Sequence, residues 1–426
     1  MRERLASASG RPIRRAPLFC IVRTPATGWR LRKSFLAPSC GRCSKDQRCR
    51  LPSGFCQWGR ATHKPEFDGE WVKLGDLLTE YKELNVGNRY RPVAVGRFGI
   101  RAREEIYTKE LAKDYSKNKV IHQNTLTVGM GSKQIDIGIL TSEDRYSVSP
   151  AYHTYRIGEV DCDYLRYCLE ARNAEMFKRF AKRGTRQGKT IDLKRWLGYR
   201  ICLPSKERQA TVVQRLAAVE RQIDDCKSMR QRLDDLVKSQ FVEMFGDPKS
   251  NPHGWDIGTI ETIAANLDAK RVPITQSDRE EGPYPYYGAT GAVDSVSGYI
   301  FDERLLLVSE DGANLLARTY PIAFSIFGKT WVNNHAHVLK VQNEETQVFL
   351  EKLINMMDIS EFITGSTQPK LTQKQLNQIP VMLPPMSLQR QFAEFVARVD
   401  KLGFDVQQQI EKLETLKQSL MQEYFG

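Results

Sequence analysis

One stretch, residues 201–248, constrains the fold of this chain more than any other, because it has the pattern of a single long amphipathic helix. It opens on Leu203-Pro204-Ser205, where the proline and the serine suit a turn followed by a helix N-cap. Gly246 and Pro248 end it, and a helix over Arg208–Phe245 would be about 57 Å long at a rise of 1.5 Å per residue. Apolar residues recur through it at the helical spacings of three and four: Val212, Leu216, Val219, Ile223, Cys226, Met229, Leu233, Leu236 and Val237.

The same pattern occurs a second time, 180 positions later. Leu383-Pro384 repeats the opening, Ser387 takes the N-cap position, and Phe425-Gly426 repeats Phe245-Gly246. The repeated apolar positions are Phe392, Phe395, Val399, Leu402, Val406, Ile410, Leu413, Leu416 and Leu420. A period this long exceeds that of solenoid repeats, so the sequence predicts a duplicated module made of a globular domain and a long helix.

Charge is concentrated at one end of the sequence. The net charge is +13, but residues 1–60 hold 14 Arg or Lys against Glu3 and Asp46, which leaves about +1 for the remaining 366 residues. Net charge therefore makes no case for nucleic-acid binding by the rest of the chain, and any DNA-binding face there must be a local patch.

The basic head, residues 1–64, also holds five of the nine cysteines. Three interpretations stay open for it: a disordered extension or sequence upstream of the true start, a zinc site, or an organelle transit peptide. Candidate zinc ligands are Cys40, Cys43, Cys49 and Cys56. The other four cysteines are scattered, which indicates a reducing compartment and a cytoplasmic protein.

Coarse patterning predicts an α+β (mixed α/β) fold without regular strand–helix alternation. The predicted strands are Arg91–Val95, Leu126–Val128, Ile135–Leu140, Tyr152–Ile157, Leu305–Val308, Ile322–Phe327 and His337–Val341, and the predicted shorter helices are Asp163–Phe180 and Thr346–Met357. Trp255 is expected to occupy the place of Trp71, and Tyr284–Tyr287 with Gly288 and Gly291 is expected to form a turn. The predicted domains are 1–64, 65–204, 205–247, 248–384 and 385–426.

Motifs for catalysis and metal binding are weak. Gly184–Thr190 resembles a phosphate-binding loop, but it has three residues between its glycines where the loop needs four. Asp268 and Lys270 have the local form of a nuclease carboxylate–lysine pair without an evident partner acid, and His335 and His337 form a histidine pair without an evident third ligand. Glu310-Asp311-Gly312 suits either an acid pair or a loop acid that accepts from a base. We therefore predict a binding protein with no catalytic residues and no metal ligands.

Several runs together resemble the specificity (S) subunits of type I restriction–modification systems. In the second half they are Tyr286-Tyr-Gly-Ala-Thr-Gly291, Ser309-Glu-Asp-Gly-Ala313, Gly328–His337, Gly365–Leu371 and Ile379–Pro384. The first half resembles the family more weakly, through Ser147–Tyr152 and Gly184–Ile191. The resemblance extends over residues 68–426 and leaves the head unexplained.

The resemblance implies two target-recognition domains, each of which reads one half of a bipartite double-stranded DNA site. The two long helices would pack antiparallel as a coiled-coil spacer with pseudo-two-fold symmetry, and would set the gap between the half-sites. It also implies two methyltransferase (M) subunits that carry S-adenosylmethionine and restriction (R) subunits that use ATP and Mg, with no cofactor in this chain. The target adenine would be flipped into the partner's pocket.

Loops of a recognition domain should offer basic and amide side chains to bases and phosphates. The predicted DNA-binding residues are Arg97, Arg101, Lys133, Gln134, Arg186 and Lys189 in the first domain and Tyr287, Thr290, Lys329, Asn333, Asn334 and Lys370 in the second. Two alternatives remain: a recognition subunit of a related fused restriction–methylation enzyme, and a coiled-coil scaffold that binds only proteins.

Overall fold

A computed structural model describes residues 69–96, 99–103, 114–183, 189–365 and 367–426 of the chain. The predictions for the basic head lie outside the described residues. The described chain divides into two compact units, which we call the first unit (69–230 with 405–426) and the second unit (231–404). In the part of the chain that is described, no helix combines the length and the apolar character needed to cross a membrane.

The first unit contains most of the elements of the N-terminal half. Its strands are β1 (Gly69–Lys73), β2 (Leu78–Glu80), β3 (Val93–Gly96), β4 (Gly99–Ala102), β5 (Lys119–Ile121), β6 (Thr125–Met130), β7 (Ile135–Leu140), β8 (Tyr146–Val148), β9 (His153–Ile157), β10 (Ala181–Arg183), β11 (Lys189–Ile191) and β12 (Arg200–Pro204). Its helices are α1 (Leu74–Leu77), α2 (Cys162–Phe180), α3 (Leu193–Leu197) and the first part of α4 (Lys206–Phe245).

The second unit contains an equivalent set. Its strands are β13 (Ile257–Thr259), β14 (Ala264–Asn266), β15 (Tyr284–Gly288), β16 (Gly291–Val296), β17 (Phe301–Asp302), β18 (Leu305–Ser309), β19 (Ala323–Ile326), β20 (Lys329–Val332), β21 (Ala336–Val341), β22 (Ile363–Thr364), β23 (Lys370–Leu371) and β24 (Pro380–Met382). Its helices are α5 (Ile260–Ile263), α6 (Asn314–Ala317), α7 (Glu344–Met356), α8 (Gln373–Gln378), the last part of α4 and the first part of α9 (Met386–Phe425). The last part of α9 belongs to the first unit.

The two units repeat one sheet topology. The four-stranded sheet of the first unit has the order β2-β9-β6-β7, and that of the second has the order β14-β21-β18-β19, with every neighbouring pair antiparallel. The ribbon β1–β12 corresponds to β13–β24, and the hairpin β10–β11 corresponds to β22–β23. The internal duplication predicted from the 180-residue offset is thus confirmed in strand order and pairing.

Each unit also contains a group of shorter strands outside its four-stranded sheet. In the second unit these strands form a small sheet of the order β16-β15-β20-β17, in which β15 runs parallel to β20. In the first unit the hairpin β3–β4 and the pair β5–β8 take these places, joined by a parallel bridge between Pro92 and Ser147.

The structure corrects two details of the repeat. Register places Trp71 opposite Cys202 and Ile257 opposite Met382, so the counterpart of Trp71 is Ile257 and the prediction of Trp255 was wrong. The segment predicted as an aromatic turn is instead β15, and only residues 289–290 form the turn before β16. Alternating burial along a half-buried strand explains the aromatic run, in which Tyr286 is buried and its neighbours are partly exposed.

Each long helix forms as the apolar spacing predicts, over 40 residues, and contributes to the cores of both units. In the first unit Val219 and Ile223 of α4 pack with Ile410 and Leu413 of α9. Arg215 donates to the hydroxyl of Tyr424 at 2.9 Å, while the later residue Glu220 meets the earlier residue Lys417 at 2.8 Å. This order shows that the two helical segments run antiparallel within that unit.

In the second unit, four phenylalanines join the long helices to the globular core. Phe241 and Phe245 of α4 each contact both Phe349 of α7 and Phe392 of α9, with ring centroids 4.9–5.4 Å apart. All four side chains are buried. Aromatic rings at this separation contribute packing energy beyond their buried area.

Glu220 is the centre of an ion network that joins α2, α4 and α9 in the first unit. Its carboxylate accepts from Arg166 at 3.0 Å, from the Tyr167 hydroxyl at 2.6 Å and from Lys417 at 2.8 Å, and Lys417 also reaches Glu170 at 3.0 Å. Burial raises the pKa of Glu220, but the hydrogen bonds from Arg166, Lys417 and Tyr167 outweigh it and lower the pKa to about 2. The carboxylate is therefore ionised at neutral pH and fixes the docking of α2 on the long helices.

Replacing Glu220 by Gln should destabilise the first unit by roughly 2–3 kcal/mol at pH 7, because Arg166 and Lys417 would lose their shared charge partner. Since the folded pKa is lowered, the contribution is present above the ordinary pKa of a glutamate and is lost as the pH falls toward 2. Urea unfolding between pH 7 and pH 3 should show the two proteins converging in acid. Glu414→Gln, on the exposed face of α9, is the matched control and should be neutral. A stability difference that persists unchanged at the lowest pH would contradict the role of the charge.

Candidate nucleic-acid interface

Turns of the second unit meet at one edge of its small sheet. Because β15 and β20 are parallel, their carboxyl ends lie together, followed by the turn 289–290 and by the segment 333–335. The Asn333 amide donates to the Tyr287 carbonyl at 3.0 Å, and the Ser309 hydroxyl donates to the Ala289 carbonyl. These bonds hold both turns against the end of β18.

Two further segments join the same edge. The Glu310 amide donates to the His335 carbonyl at 2.9 Å, the Gly312 amide to the Pro369 carbonyl at 3.0 Å and the Leu371 amide to the Glu310 carbonyl at 2.8 Å. We call segments 289–290, 310–312, 333–335 and 367–371 the loop cluster. Its backbone bonds make it a rigid surface assembled from four distant parts of the sequence.

A largely buried ion network lies beneath the loop cluster. Arg271 donates to Glu310 at 2.6 Å and lies 3.5 Å from Asp268, and Lys370 lies 3.2 Å from Glu310. Burial raises the pKa values of Asp268 and Glu310, but hydrogen bonds and nearby positive charge, from His337 and Arg271 above all, outweigh it and lower both. Both carboxylates are therefore ionised, and the network ties the segments 310–312 and 367–371 to the sheet.

His337 is held by acceptors on both ring nitrogens. Nδ1 lies 2.6 Å from an Asp268 carboxylate oxygen and Nε2 lies 2.8 Å from the Leu371 carbonyl oxygen. The other Asp268 oxygen accepts from the Val338 amide at 2.8 Å. Both ring nitrogens therefore face oxygen acceptors, one from Asp268 and one from Leu371, which fixes the orientation of the imidazole.

The network changes how two sequence motifs are interpreted. Asp268 does have a partner acid, Glu310, which the sequence analysis missed because 42 positions separate them. With His337 the two acids place three donor atoms within 4.8 Å of one another, which makes this a group in the described chain that could hold a metal ion. Arg271 and Lys370 already neutralise these carboxylates, so a metal ion would have to displace a bonded arginine.

The two histidines do not form a metal pair. His335 precedes β21, is exposed, and bonds to Asp311 at 2.9 Å, whereas His337 is buried and faces Asp268. Each imidazole is thus hydrogen-bonded to a carboxylate of the protein. In the Glu310–Asp311 pair, Glu310 is paired with Arg271 and Asp311 with the imidazole of His335.

Several of the DNA-binding residues predicted in the second unit lie in the loop cluster. Thr290 lies in the turn after β15, Asn334 is exposed, and Lys370 is half exposed above Glu310. Asn333 also lies there, but it is only 6% exposed and its side-chain oxygen accepts from the His335 amide, which makes it a support of the turn.

The remaining two predicted residues lie outside the four segments of the loop cluster. Tyr287 is partly buried, with its ring 6.2 Å from that of Phe324. Lys329 begins β20, at the end of that strand away from the loop cluster, with its ammonium 4.8 Å from the centre of the Tyr299 ring.

In the first unit, Arg101 is exposed on β4, while Lys133 and Gln134 lie in the turn between β6 and β7. That turn follows β6 as segment 310–312 follows β18, and β6 and β18 hold equivalent sheet positions. Arg97 and Arg186 lie outside the described residues, and Lys189 begins β11. Arg271 was missed by the sequence analysis, although its position three residues after Asp268 is a weak signal for an ion pair.

Comparison with known proteins finds similarity to one family over part of the chain. The model of the type I restriction modification DNA specificity domain matches residues 252–415. A Haemophilus influenzae protein provisionally named as a type I restriction enzyme specificity subunit is 34% identical over 137 residues, which are 32% of this chain and 35% of the relative. The MjaVIII type I restriction enzyme specificity subunit of Methanocaldococcus jannaschii is 24% identical over 202 residues, 44% of this chain and 45% of the relative. The chain thus spans less than half the length of these two relatives.

Among solved structures, a type I restriction–modification S subunit from M. genitalium covers 85% of this chain and 97% of its own length, at 16% identity and a TM-score of 0.49. The match to the family model falls on the segment that carries the loop cluster and most of α9. Residues 252–415 are therefore similar to the type I restriction modification DNA specificity domain.

Proposed function

We propose that this chain is the DNA sequence-recognition subunit of a type I restriction–modification complex, in which each globular unit reads one half of a bipartite target. The observation that carries the proposal is the specificity-domain match over 252–415 together with the repeat of the same strand order in the first unit. A duplicated reader is suited to a DNA site with two separated halves.

The proposed architecture has target-recognition domains at 65–204 and 248–384 and spacer helices at 205–247 and 385–426. The spacer would be an antiparallel coiled coil related by a pseudo-two-fold axis, and its length would set the unread gap. The antiparallel order of the contacts Arg215–Tyr424 and Glu220–Lys417 supports this arrangement in the first unit.

The proposed partners are two methyltransferase subunits, which would carry S-adenosylmethionine, and restriction subunits that use ATP and Mg. Catalysis would belong to those partners, and this chain would be the non-catalytic component. Exposed apolar side chains on the long helices support a protein partner there, because solvent-facing helix positions are normally polar. They include Met229 and Leu236 on α4 and Leu402 and Leu416 on α9.

The proposal is tested by mapping methylated adenines in the host genome and then measuring binding of the chain, with its methyltransferase partner, to the bipartite duplex so defined. Substituting Thr290 and Asn334 by Ala should relax discrimination at one half-site only, by roughly 1–3 kcal/mol for each base-specific interaction removed. Substituting Lys133 and Gln134 should affect the other half-site. Binding that is indifferent to sequence and to salt in the wild-type complex would exclude the function and favour a protein scaffold.

A further inference from the structure

A buried polar hub in the first unit joins three separate segments. The Asn85 side chain, only 1% exposed, donates to the carbonyls of Tyr90 and Tyr115 at 3.0 and 3.3 Å and accepts from the Tyr90 amide at 2.9 Å. The buried Ser147 hydroxyl donates to the Tyr90 carbonyl at 3.1 Å and accepts from Asn118 at 3.2 Å. Backbone segments around residues 85–91, 115–118 and 146–148 are thereby fixed to one another.

The outer side of this hub carries arginines stacked on tyrosines. The guanidinium of Arg89 lies 5.5 Å from the centre of the Tyr90 ring, and Arg145 donates to the Tyr90 hydroxyl at 3.4 Å. The guanidinium of Arg103 lies 5.7 Å from the centre of the Tyr115 ring. We call the following six residues the arginine–tyrosine patch: Arg89, Tyr90, Arg91, Arg103, Tyr115 and Arg145.

Backbone contacts position Arg91 in the patch. The Ser147 amide donates to the Arg91 carbonyl at 2.8 Å, and the parallel bridge between Pro92 and Ser147 follows directly. Arg91 therefore lies beside the start of β8, next to Arg145, and its side chain is exposed.

Among the described residues, basic side chains outnumber acids next to the patch. The described carboxylates nearest to it in sequence are those of Asp114, Glu143 and Asp144, against the four arginines and Lys117. Asp114 accepts from the Ser116 amide and hydroxyl at 2.8 and 2.9 Å, and Asp144 accepts from the Tyr146 hydroxyl at 3.3 Å. These two acids are thus engaged within their own turns.

The corresponding strand starts in the second unit carry different side chains. There β15 and β20 begin at Tyr284 and Lys329, and Arg279 is paired with Asp294 at 3.1 Å. Lys329 lies opposite Asp302 in the sheet. The described residues around these strand starts do not repeat the arginine cluster, so the patch is a feature of the first unit.

We propose that the arginine–tyrosine patch binds the phosphate backbone of the DNA duplex and that the first unit therefore supplies the larger share of the salt-dependent affinity. Arginine forks match phosphate oxygens in two-point contacts, and stacking on a tyrosine orders the guanidinium before binding. The buried hub adds rigidity, because Asn85 and Ser147 hold the backbone segments that carry the arginines. This proposal rests on the proposed function and names the surface of that function in the first unit.

The test measures the affinity of the full chain with its methyltransferase partner for the methylation-defined duplex as a function of salt concentration. The variant Arg89→Ala/Arg91→Ala/Arg145→Ala should lower the slope of log affinity against log salt by about 0.9 for each phosphate that is no longer bound. Affinity at low salt should fall by about tenfold or more, because non-specific phosphate contacts dominate there. The methylated sequence should stay the same, since phosphate contacts carry no sequence information.

The matched control is Arg179→Ala/Arg195→Ala/Arg200→Ala, which removes three exposed arginines from the same unit, two of them also stacked on the ring of Phe180. It should leave the slope unchanged. The charge-conserving variant Arg89→Lys/Arg91→Lys/Arg145→Lys should keep most of the slope. If the triple alanine variant fails to fold, the single variant Arg145→Ala keeps the test decisive, because it should lower the slope by about 0.9 if Arg145 binds one phosphate.

The outcomes separate the two proposals. A wild-type complex that binds its site, with an alanine variant of unchanged slope, overturns the patch and leaves the proposed function intact. A wild-type complex without salt-dependent, sequence-specific binding overturns the proposed function itself. An alanine variant that loses its methyltransferase partner but keeps its salt slope shows a protein-binding surface and also overturns the patch.

Discussion

Removing seven residues from each long helix should make the complex methylate sites whose halves lie about three base pairs closer together, because seven helical residues span about 10 Å and a base pair about 3.4 Å. Suitable segments are Cys226–Arg232 in α4 and Val406–Lys412 in α9, which lie at the 180-residue offset of the repeat. After the deletion, Leu233 takes the place of Cys226 and Leu413 takes the place of Val406, so the apolar face stays continuous. Genome-wide mapping of methylated adenines in a host that carries the variant measures the new gap.

Two further variants control the experiment. Inserting seven residues at the same points should lengthen the gap by a similar amount. Deleting two residues from each helix should abolish assembly, because a rotation of about 200° turns the apolar face away from its partner. A soluble seven-residue deletion variant that still methylates the original site, with the original gap, would show that the helices do not set the spacing.

The long-range organisation of this chain was predictable because it rests on periodicity. The apolar spacing of three and four that indicated α4 and α9 depends only on neighbouring residues of one helix. The strands Ile135–Leu140 and Leu305–Val308 were recognisable for a similar reason, since short β-branched and leucine-rich runs suit a buried strand. The duplication followed from comparing the chain with itself, and the matching strand orders show why the comparison succeeded.

The candidate site was predictable only in part, because its geometry depends on contacts between distant residues. The sequence indicated Thr290, Asn334 and Lys370 as exposed loop residues, and the structure brings them to one edge. It could not reveal that Asn333 would be buried, because burial there depends on the bond between its amide and the Tyr287 carbonyl of a neighbouring strand.

The Asp268–Glu310 network and the arginine–tyrosine patch, which only the structure revealed, also depend on contacts between distant residues. Asp268 and Glu310 meet through Arg271 because β18 and β21 are neighbours in the sheet, and no local spacing encodes that. Likewise Arg89 and Arg145 are 56 positions apart and converge on one tyrosine ring. Functional side chains on loops do not recur at a regular spacing, so a sequence pattern cannot show that they lie together in the fold.

Replacing Phe245 by Ala should destabilise the second unit by about 3–5 kcal/mol, because the substitution empties a closed aromatic cluster between α4, α7 and α9. The Phe245 ring lies 5.0 Å from Phe241, 4.9 Å from Phe349 and 5.3 Å from Phe392, and it is fully buried. Its backbone carbonyl also accepts from the Trp255 indole at 3.0 Å, which joins the end of α4 to the segment before β13. A cavity at this point therefore loosens both long helices from the globular core.

The expected readout is a fall in the unfolding temperature of the second unit by about 10 °C, from the entropy of unfolding typical of 150–250 residues. Limited proteolysis should cut the second unit before the first, whose core does not include the four phenylalanines. Val242→Ala, a change at a 45% exposed position three residues earlier in the same helix, is the matched control and should shift the temperature by little. Phe245→Leu should fall between the two, because it keeps most of the apolar volume. A Phe245→Ala protein that melts like the Val242→Ala control would show that the aromatic cluster does not hold the helices to the second unit.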